Sequence, residues 1–335
     1  MRGVQKCTRG CSSLRGRKRL PLCCIKLDTA TDPTCGSGGL LIKTQLALNE
    51  THKKAEKPLK LYGQEQDSFT YAIAKMNMTI HDMEGEIAIG DTLASPKFRE
   101  GNSLKKFDIV TANPMWNQDG YDTNFYEQDK FGRFAYGFLS AQSADWGWVQ
   151  HMHASLKESG RMAIVLDTGA VSRGSGGANT NKEREVRKAF VDNDFVEGVL
   201  LLPDNLFYNT SAPGIILFIN KNKASVRKGR IILINASKEF EKGKESSKNY
   251  ITQESIKRIV KAFRDFGDIE KFAKIVTNEE VIKNDYNLSP SRYVHNGEDI
   301  ELQDIPTLLS EIKSLEQEEI GIDTKLEEIF KNLGF

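Results

Sequence analysis

The apolar residues of this chain fall into short runs separated by polar stretches of helix length. Five runs rich in Ile, Val and Leu occupy residues 86–90, 107–112, 161–167, 195–202 and 214–220. Such runs are typical of parallel strands buried on both faces of a sheet. The link at residues 203–213 is too short for a helical crossover, so we expect the last of these strands to run antiparallel. Residues 230–235 predict a further strand.

The C-terminal third carries helical patterns. Residues 253–266 predict one helix, and residues 304–333 predict another, with Glu319 as the one polar residue in its apolar seam. The seam alternates spacings of four and three, through Leu308, Ile312, Leu315, Ile322, Leu326, Ile329 and Leu333. A seam this regular usually packs on another helix, although Gly321 leaves open a helix lying on its own domain. Residues 118–135 and 172–184 are predicted to be loops.

The strand at 107–112 leads into Asn113-Pro114-Met115-Trp116, which is suited to holding the amino group of a planar base. An exocyclic base amine is a poor nucleophile because its lone pair is conjugated into the ring, so an enzyme that alkylates it must accept its hydrogens. Asn113 offers a side-chain carbonyl and Pro114 a main-chain carbonyl, while Trp116 can stack on a base that has left the double helix. Alone, Asn-Pro after a strand usually marks only a turn.

A glycine-rich turn lies upstream. Residues 32–39 read Asp-Pro-Thr-Cys-Gly-Ser-Gly-Gly and lead into an apolar helix from Leu40. Glycines let the backbone approach a ligand closely, and the helix N-terminus favours a negative group such as a carboxylate. The spacing matches neither a dinucleotide site nor a nucleoside triphosphate site. By itself, a glycine turn is weak support for any ligand.

Two acidic residues end neighbouring predicted strands. Residues 59–65 form a short strand that ends in Glu65, about where a parallel-sheet nucleoside site puts its ribose-hydroxyl acceptor. Residues 86–91 end in Asp91, which could accept the amino group of an adenine ring. Either acid alone is more often a helix N-cap or a solvated loop end. Together with Asp32 and Asn113, they form a set of polar strand ends on the side of an open sheet where ligands bind.

With these motifs in place, the chain resembles the modification subunit of type I restriction-modification systems, a family of DNA adenine-N6 methyltransferases that use S-adenosylmethionine. The resemblance runs from about residue 28 to residue 294. It also rests on residues 131–134, 136–137, 145–146, 150–151, 160–166, 202–208 and 284–293. It implies an α/β fold with a Rossmann-like methyltransferase sheet, mostly parallel with one antiparallel strand, and a C-terminal helical region.

The resemblance also implies roles for individual residues. The catalytic residues are Asn113, Pro114 and Trp116, and no metal is needed. The cofactor contacts come from Asp32, Pro33, Cys35, Gly36, Gly38, Glu65, Asp91 and Asn113. Met115 stands where the family has a second proline and Trp116 where it has Phe or Tyr, but both carbonyls remain. Cytosine-N4 enzymes usually open this tetrapeptide with Ser, so Asn113 favours adenine.

The implied partners are double-stranded DNA, a sequence-recognition subunit, a restriction subunit and a second copy of this chain. Charge supports a partner. Although the formal net charge is +1, residues 1–27 hold eight of the 47 bases and no acid, which leaves 39 bases against 46 acids. A net acidic body is poorly suited to holding DNA alone, so we expect another subunit to supply much of the phosphate contact.

Residues 1–27 differ from the rest of the chain. They contain Cys7, Cys11, Cys23 and Cys24, four of the five cysteines. A zinc set fits this spacing poorly, a basic arm on DNA fits better, and no secretory signal is present. Family members carry an all-helical domain and a Phe-Tyr-Thr-Pro-like segment upstream of the glycine turn, so our preferred hypothesis is a truncated or frame-shifted start. No apolar run could cross a bilayer, and cysteine is nearly absent after Cys35, which favours the cytoplasm.

The predicted domains follow from these patterns. Residues 1–27 form an atypical basic segment, 28–237 the catalytic domain, 238–300 its extension, and 301–335 a helical segment for subunit interaction. His151 and His153 lie in a predicted helical stretch and are read as packing or surface residues. The alternative to a working methyltransferase is an inactive remnant that still docks on the recognition subunit through residues 304–333.

Overall fold

The computed structural model describes residues 27–51, 57–139, 142–177, 181–243 and 248–295, together with residues 315, 319 and 322. The proposed N-terminal segment therefore lies outside the described residues apart from Leu27. Residues 315, 319 and 322 are helical, and the rest of the predicted seam at 304–333 is not described. Within the described part, no helix is long and apolar enough to span a membrane.

Thirteen strands and eight α-helices make up the described structure. The strands are β1 (Thr29–Asp32), β2 (Lys60–Glu65), β3 (Gly85–Ile89), β4 (Arg99–Glu100), β5 (Ser103–Leu104), β6 (Phe107–Ala112), β7 (Leu156–Asp167), β8 (Val196–Leu201), β9 (Gly214–Asn220), β10 (Arg230–Asn235), β11 (Glu241–Lys242), β12 (Asn249–Tyr250) and β13 (Ala273–Thr277). The helices are α1 (Gly39–Thr51), α2 (Ser68–Ile80), α3 (Thr123–Glu127), α4 (Asp145–Ala154), α5 (Lys182–Asp192), α6 (Gln253–Asp265), α7 (Asn278–Lys283) and α8 (Pro290–Tyr293). Short 3-10 turns occur at Thr168–Val171 and Ser225–Arg227.

The chain divides into two compact units. The first comprises Met1–Leu166, Ala178–Val196 and Leu217–Lys228, and the second comprises Asp167–Gly177, Glu197–Ile216 and Gly229–Phe335. Each unit contains segments that are distant in sequence. The predicted catalytic and cofactor residues all belong to the first unit. The domain boundaries drawn from the sequence stay a prediction.

The first unit contains parallel strands in the order β3-β2-β1-β6-β7. Helices α1 and α2 cover these strands, and their shared core holds Leu41, Leu61, Ala74 and Met78. Helix α2 begins at an N-cap, where the side chain of Asp67 accepts a hydrogen bond from the amide of Thr70. The predicted strands here are confirmed, and α3 lies within the segment predicted to be a loop.

Helix α4 is unusual because every residue from Asp145 to His153 is buried. A helix buried all round must satisfy its polar side chains internally. Two of those side chains, Asp145 and Trp148, are hydrogen-bonded to the segment between β6 and α4. The following strand, β7, begins at Leu156, earlier than the apolar run predicted.

In the second unit, β10 pairs parallel with β8 and antiparallel with β13. The sequence did not predict β13. Helix α6 is confirmed, and it begins where the Thr252 side chain accepts a hydrogen bond from the amide of Ser255.

Strand β9 has residues in both units. Its first residue is hydrogen-bonded just beyond the end of β8, and its last residue is hydrogen-bonded just before the start of β8. In the second unit, the Leu202 amide donates to the Gly214 carbonyl, and in the first, the Asn220 amide donates to the Phe195 carbonyl. This crossed order is the antiparallel direction that the short link predicts. The mostly parallel α/β fold is confirmed, with β13 as an additional antiparallel strand.

Candidate active site

The residues predicted to contact the cofactor, called the cofactor side below, follow adjacent parallel strands of the first unit. Asp32, the last residue of β1, lies opposite Gly63 of β2, and Glu65 comes two residues later at the end of that strand. Glu65 in turn lies opposite Ile89 of β3, and Asp91 comes two residues beyond it. Because neighbouring strands are about 4.8 Å apart, the three carboxylates stand in a row at one edge of the sheet.

The tetrapeptide at residues 113–116, predicted to bind the target base and called the target side below, reaches the same edge from the other side of β1. Strand β6 pairs with β1 in parallel, with Val110 opposite Thr31. Asn113 comes three residues after Val110, and Asp32 comes directly after Thr31, so the two residues lie near each other at this edge. The glycine turn after β1 and the Asn-Pro-Met-Trp turn after β6 lie on neighbouring strands at the same end of the sheet.

The glycine turn presents open backbone to that edge. Gly36 has φ +53° and Gly38 has φ +79°, a region that glycine adopts without strain. A Cβ on Gly36 would meet no heavy atom within 4 Å, so its face is accessible to a ligand. The Gly36 amide donates a 2.9 Å hydrogen bond to Glu65 Oε2, which fixes the turn against β2.

Cys35 packs the turn inward. Its side chain is buried, and its amide donates to the Gln64 carbonyl at 3.0 Å. A Cβ on Gly63 would lie 2.8 Å from Cys35 Sγ, so β2 needs glycine at this position. Burial raises the pKa of the Cys35 thiol, which therefore stays protonated near neutral pH. Of the predicted cofactor residues, Cys35 acts through its packing in this structure.

Asp32 is a buried carboxylate, 2% exposed, at the end of the row that lies next to β6. Burial raises its pKa to about 7, hydrogen bonds from Thr34 oppose the rise, and the charge of Glu65 adds to it. The Thr34 amide donates to Oδ1 at 2.9 Å. No lysine or arginine of the described residues pairs with this carboxylate. A cation placed beside it would stabilise its charged form.

The segment after β3 is tied both to the glycine turn and to the target side. The Thr92 hydroxyl donates to the Pro33 carbonyl at 2.6 Å. The neighbouring Asp91 accepts the Ala94 amide at Oδ1, 3.1 Å, and the Tyr121 hydroxyl at Oδ2, 2.9 Å. Asp91 is thus held in one orientation by a residue that follows the tetrapeptide.

Within the tetrapeptide, exposure alternates. Asn113 is exposed, Pro114 is buried and Trp116 is half-buried, while 71% of Met115 is accessible. Buried Pro114 anchors the turn, since its fixed φ removes one degree of freedom. The exposed amide of Asn113 is free to meet a ligand from solvent.

Helix α4 holds the residues that follow the tetrapeptide. Asn117, in a left-handed conformation with φ +52°, donates its amide to Asp145 Oδ1 at 3.0 Å. The Ala144 amide donates to the Gln118 carbonyl at 2.8 Å, and Trp148 Nε1 donates to Gln118 Oε1 at 3.2 Å. These contacts fix the turn to the interior.

Arg133 ties the same loop to the cofactor side. Its buried guanidinium pairs with Asp129 at 2.8 Å and donates to the carbonyls of Thr92 at 3.3 Å and Leu93 at 2.7 Å. His151 Nδ1 lies 3.3 Å from Arg133 Nη1. Burial, and then the charge of Arg133, lower the pKa of His151 to about 3, so its ring stays neutral.

His153 lies in an aromatic cluster, with ring centroids 4.5 Å from Phe195, 5.2 Å from Phe190 and 5.5 Å from Tyr136. Burial and the charges of Lys221 and Lys106 lower its pKa to about 3. Both histidines are packed in the interior. The part of the chain that the structure describes contains no group of three or more His, Cys, Asp or Glu side chains that could hold a metal ion.

Sequence reasoning missed the residues that support the site. Tyr121 and Gln118 lie in a predicted loop and give no local signal. Arg133, Asp145 and Trp148 lie in or beside segments that carry the family resemblance, but their types and spacing alone suggest no role.

Comparison with known proteins settles the family. The sequence profile of the family described as N-6 DNA Methylase matches residues 25–301. The chain belongs to this family. The resemblance stated from the motifs is therefore confirmed. A row of polar residues at the ends of parallel strands is expected in a methyltransferase fold.

Relatives support this assignment. The methylase subunit of the type I restriction enzyme MjaVIII from Methanocaldococcus jannaschii is 41% identical over 297 residues, which are 86% of this chain and 49% of that protein. The HindI methylase subunit from Haemophilus influenzae is 32% identical over 314 residues, 90% of this chain and 67% of that protein. The chain spans about half the length of the first two curated relatives it matches, both from M. jannaschii.

Solved structures agree. The methyltransferase subunit of a type I restriction-modification system from Streptococcus thermophilus superposes with a TM-score of 0.69 at 32% identity, covering 80% of this chain and 54% of that one. The EcoKI M protein superposes with a TM-score of 0.59 at 17% identity, over 78% of this chain and 61% of that one, which supports the fold alone.

Proposed function

We propose that this chain transfers a methyl group from S-adenosylmethionine to the N6 amine of adenine in double-stranded DNA. One observation carries the proposal: β1 and β6 are neighbouring parallel strands that end, side by side, in the glycine turn and in Asn113-Pro114. A donor held by the first turn would adjoin a base held by the second. Family membership and the named relatives support the same chemistry.

The residues at the cofactor side fit this cofactor. S-adenosylmethionine supplies, when bound, a methyl group on a positively charged sulfur. Asp32 would stabilise positive charge on the ligand with its buried carboxylate. The open face of Gly36 would allow the close approach of a bulky ligand, whereas a Cβ on Gly38 would contact Ala74 at 3.7 Å, so Gly38 shapes the turn by its packing. Glu65, whose two oxygens accept the amides of Gly36 and Asp67, has further lone pairs left for ribose hydroxyls, and Asp91 would accept an adenine amine.

The tetrapeptide prepares the base amine. Asn113 Oδ1 and the Pro114 carbonyl would each accept one amine hydrogen, which orients the nitrogen lone pair out of conjugation and holds both protons at defined atoms. Trp116 would stack on the ring of the flipped base. Two fixed acceptors act where positive charge develops on nitrogen, which is the form of stabilisation that favours the transition state over the ground state. After methyl transfer, the nitrogen would release one of its two protons to solvent, to which Asn113 is exposed.

The setting that we propose is a cytoplasmic type I restriction-modification complex. In it, this chain contacts DNA together with a recognition subunit and a second copy of itself, and a restriction subunit carries the nuclease. The deficit of basic residues beyond residue 27 supports a partner that supplies phosphate contacts. The predicted helix at 304–333 is our candidate for the contact with the recognition subunit.

Asn113→Ala tests the catalytic assignment. We expect at least about a hundredfold loss of turnover in the reconstituted complex, because removing one such donor or acceptor costs roughly that much. Binding of S-adenosylmethionine should fall little, because Asn113 is one of eight predicted cofactor contacts and the other seven remain. Methyl transfer would be measured with radiolabelled cofactor, and binding by calorimetry. Asn193→Ala, at the end of α5 and outside the site, is the matched control. Full turnover in Asn113→Ala would refute the role of this amide.

A further inference from the structure

A chain of hydrogen bonds joins the cofactor side of the site to the target side. It begins at Asp91, whose Oδ2 accepts the Tyr121 hydroxyl at 2.9 Å. Tyr121 follows the tetrapeptide by five residues and packs its ring 4.8 Å from that of Phe125. The proposed acceptor for the cofactor's adenine is therefore oriented by a residue from the segment that follows the target-base turn.

This series of hydrogen bonds continues toward α4. The Tyr121 oxygen accepts from Gln118 Nε2 at 3.3 Å, and Gln118 Oε1 accepts from Trp148 Nε1 at 3.2 Å. Trp148 is buried, and Gln118 is also held by its main chain through the Ala144 amide at 2.8 Å. Gln118 comes two residues after Trp116, so any shift of Gln118 moves the turn that would stack on the base.

The two residues at the ends of this series, Asp91 and Trp148, fix the direction of every hydrogen bond between them. An ionised carboxylate only accepts, so the Tyr121 hydroxyl must donate to Asp91 and its oxygen is left to accept. An indole N–H only donates, so Gln118 must turn its carbonyl toward Trp148 and its amide toward Tyr121. No alternative orientation satisfies all four groups. Burial and the hydrogen bond to Asp91 raise the pKa of Tyr121, so this hydroxyl keeps its proton.

We propose that Tyr121 is a positioning residue that couples the two halves of the site: it orients Asp91 for the adenine ring of the cofactor and transmits the state of that contact, through Gln118, to the turn at residues 113–118. This inference rests on the proposed function. A ligand that donates a hydrogen bond to Asp91 changes the hydrogen bond that this carboxylate accepts from Tyr121. The change reaches the turn through the Tyr121–Asp91 and Gln118–Tyr121 hydrogen bonds. Coupling of this kind is reciprocal, so a base held by the turn also favours the cofactor.

Tyr121→Phe removes the hydroxyl and keeps the ring. Calorimetric titration with S-adenosylmethionine gives the dissociation constant, and amide hydrogen exchange with and without the cofactor reports on residues 114–121 and on the glycine turn. In the wild type, the cofactor should slow exchange in both segments. In Tyr121→Phe, affinity should fall about tenfold, as expected for a hydrogen bond to a charged group, and the slowing at 114–121 should disappear while that at 36–39 persists.

Two further variants separate coupling from a general structural effect. Tyr126→Phe is the matched control, because the buried Tyr126 hydroxyl has no hydrogen-bond partner among the described residues, and it should behave like the wild type. Gln118→Met keeps the Tyr121–Asp91 contact and breaks the next link. It should bind the cofactor within about threefold of the wild type, since no contact to the ligand is lost, yet show no slowing at 114–121.

The outcomes are distinct. Undiminished slowing at 114–121 in Tyr121→Phe or in Gln118→Met would overturn the coupling and leave the proposed function standing. Wild-type protein that binds S-adenosylmethionine without any slowing at 114–121 would do the same. Failure of the wild type to bind the cofactor, alone and with the recognition subunit, would instead overturn the proposed function and the coupling with it.

Discussion

Replacing Asp32 with Asn should stabilise the protein at alkaline pH while removing cofactor binding. The carboxyl is buried and has no cationic partner among the described residues, so its ionisation in the absence of ligand opposes folding. Asn keeps an oxygen that can accept the 2.9 Å hydrogen bond from the Thr34 amide. The substitution therefore removes the charge and little else.

The magnitude follows from the pKa. The folded protein holds the Asp32 proton up to a pKa of about 7, whereas the unfolded chain releases it near 3.8. Between pH 3.8 and about pH 7, unfolding releases the Asp32 proton, so the free energy of unfolding falls as pH rises. Above about pH 7, the loss of stability caused by the buried charge is constant. At about 1.4 kcal/mol for each unit, the full cost is about 4 kcal/mol. Between about pH 5.5 and about pH 8.5, the advantage of Asp32→Asn should grow by about 2 kcal/mol.

Urea unfolding of both proteins at these two pH values measures the difference. Asp119→Asn, at an exposed position, is the control for the loss of a carboxylate from the chain. Calorimetry on the same samples should show that Asp32→Asn has lost most of its affinity for S-adenosylmethionine. An Asp32→Asn protein less stable than the wild type at the higher pH would refute the reasoning, since burial of the charge would then not be the dominant effect at this position.

Two further results are expected. In the wild type, affinity for S-adenosylmethionine should rise about tenfold from about pH 6 to about pH 8, as Asp32 loses its proton with a pKa of about 7 and the competent fraction grows; a flat profile by calorimetry would contradict this. Gly63→Ala should place a methyl group 2.7 Å from Ile87 Cδ1 and 2.8 Å from Cys35 Sγ and displace the glycine turn, costing about 1–3 kcal/mol in urea unfolding and weakening cofactor binding. Gly267→Ala is the control, because this glycine, like Gly63, has no positive φ and a Cβ there would meet no heavy atom within 4 Å. Equal losses in both variants would show that crowding against Ile87 and Cys35 is unimportant.

The sequence predicts most of the row of strand ends because Glu65, Asp91 and Asn113 lie at or just after the ends of predicted strands, whereas the strand before Asp32 contains no apolar run. Asp32, Glu65, Asp91 and Asn113 are local features of four strands, and the parallel arrangement of those strands brings them together. The antiparallel direction of β9 is predictable for a similar reason, since it depends only on the length of one link.

The supporting hydrogen bonds could not be predicted in this way. Tyr121 meets Asp91 across 30 residues of chain, and Arg133 meets Leu93 across 40. Which polar side chain fills a buried position depends on distant backbone groups that need a partner, and no spacing rule encodes that. Helix α4 shows the same limit: its apolar and polar residues are all buried, so it lacks the amphipathic stripe that identifies a surface helix.

The most direct test of the proposed site is a calorimetric titration of the purified chain with S-adenosylmethionine, alone and with the recognition subunit. Saturable binding at one site per chain, abolished by Asp32→Asn and retained by Asn113→Ala, is the predicted result. The absence of binding under both conditions would contradict it, and would favour a protein that docks on the recognition subunit without performing methyl transfer.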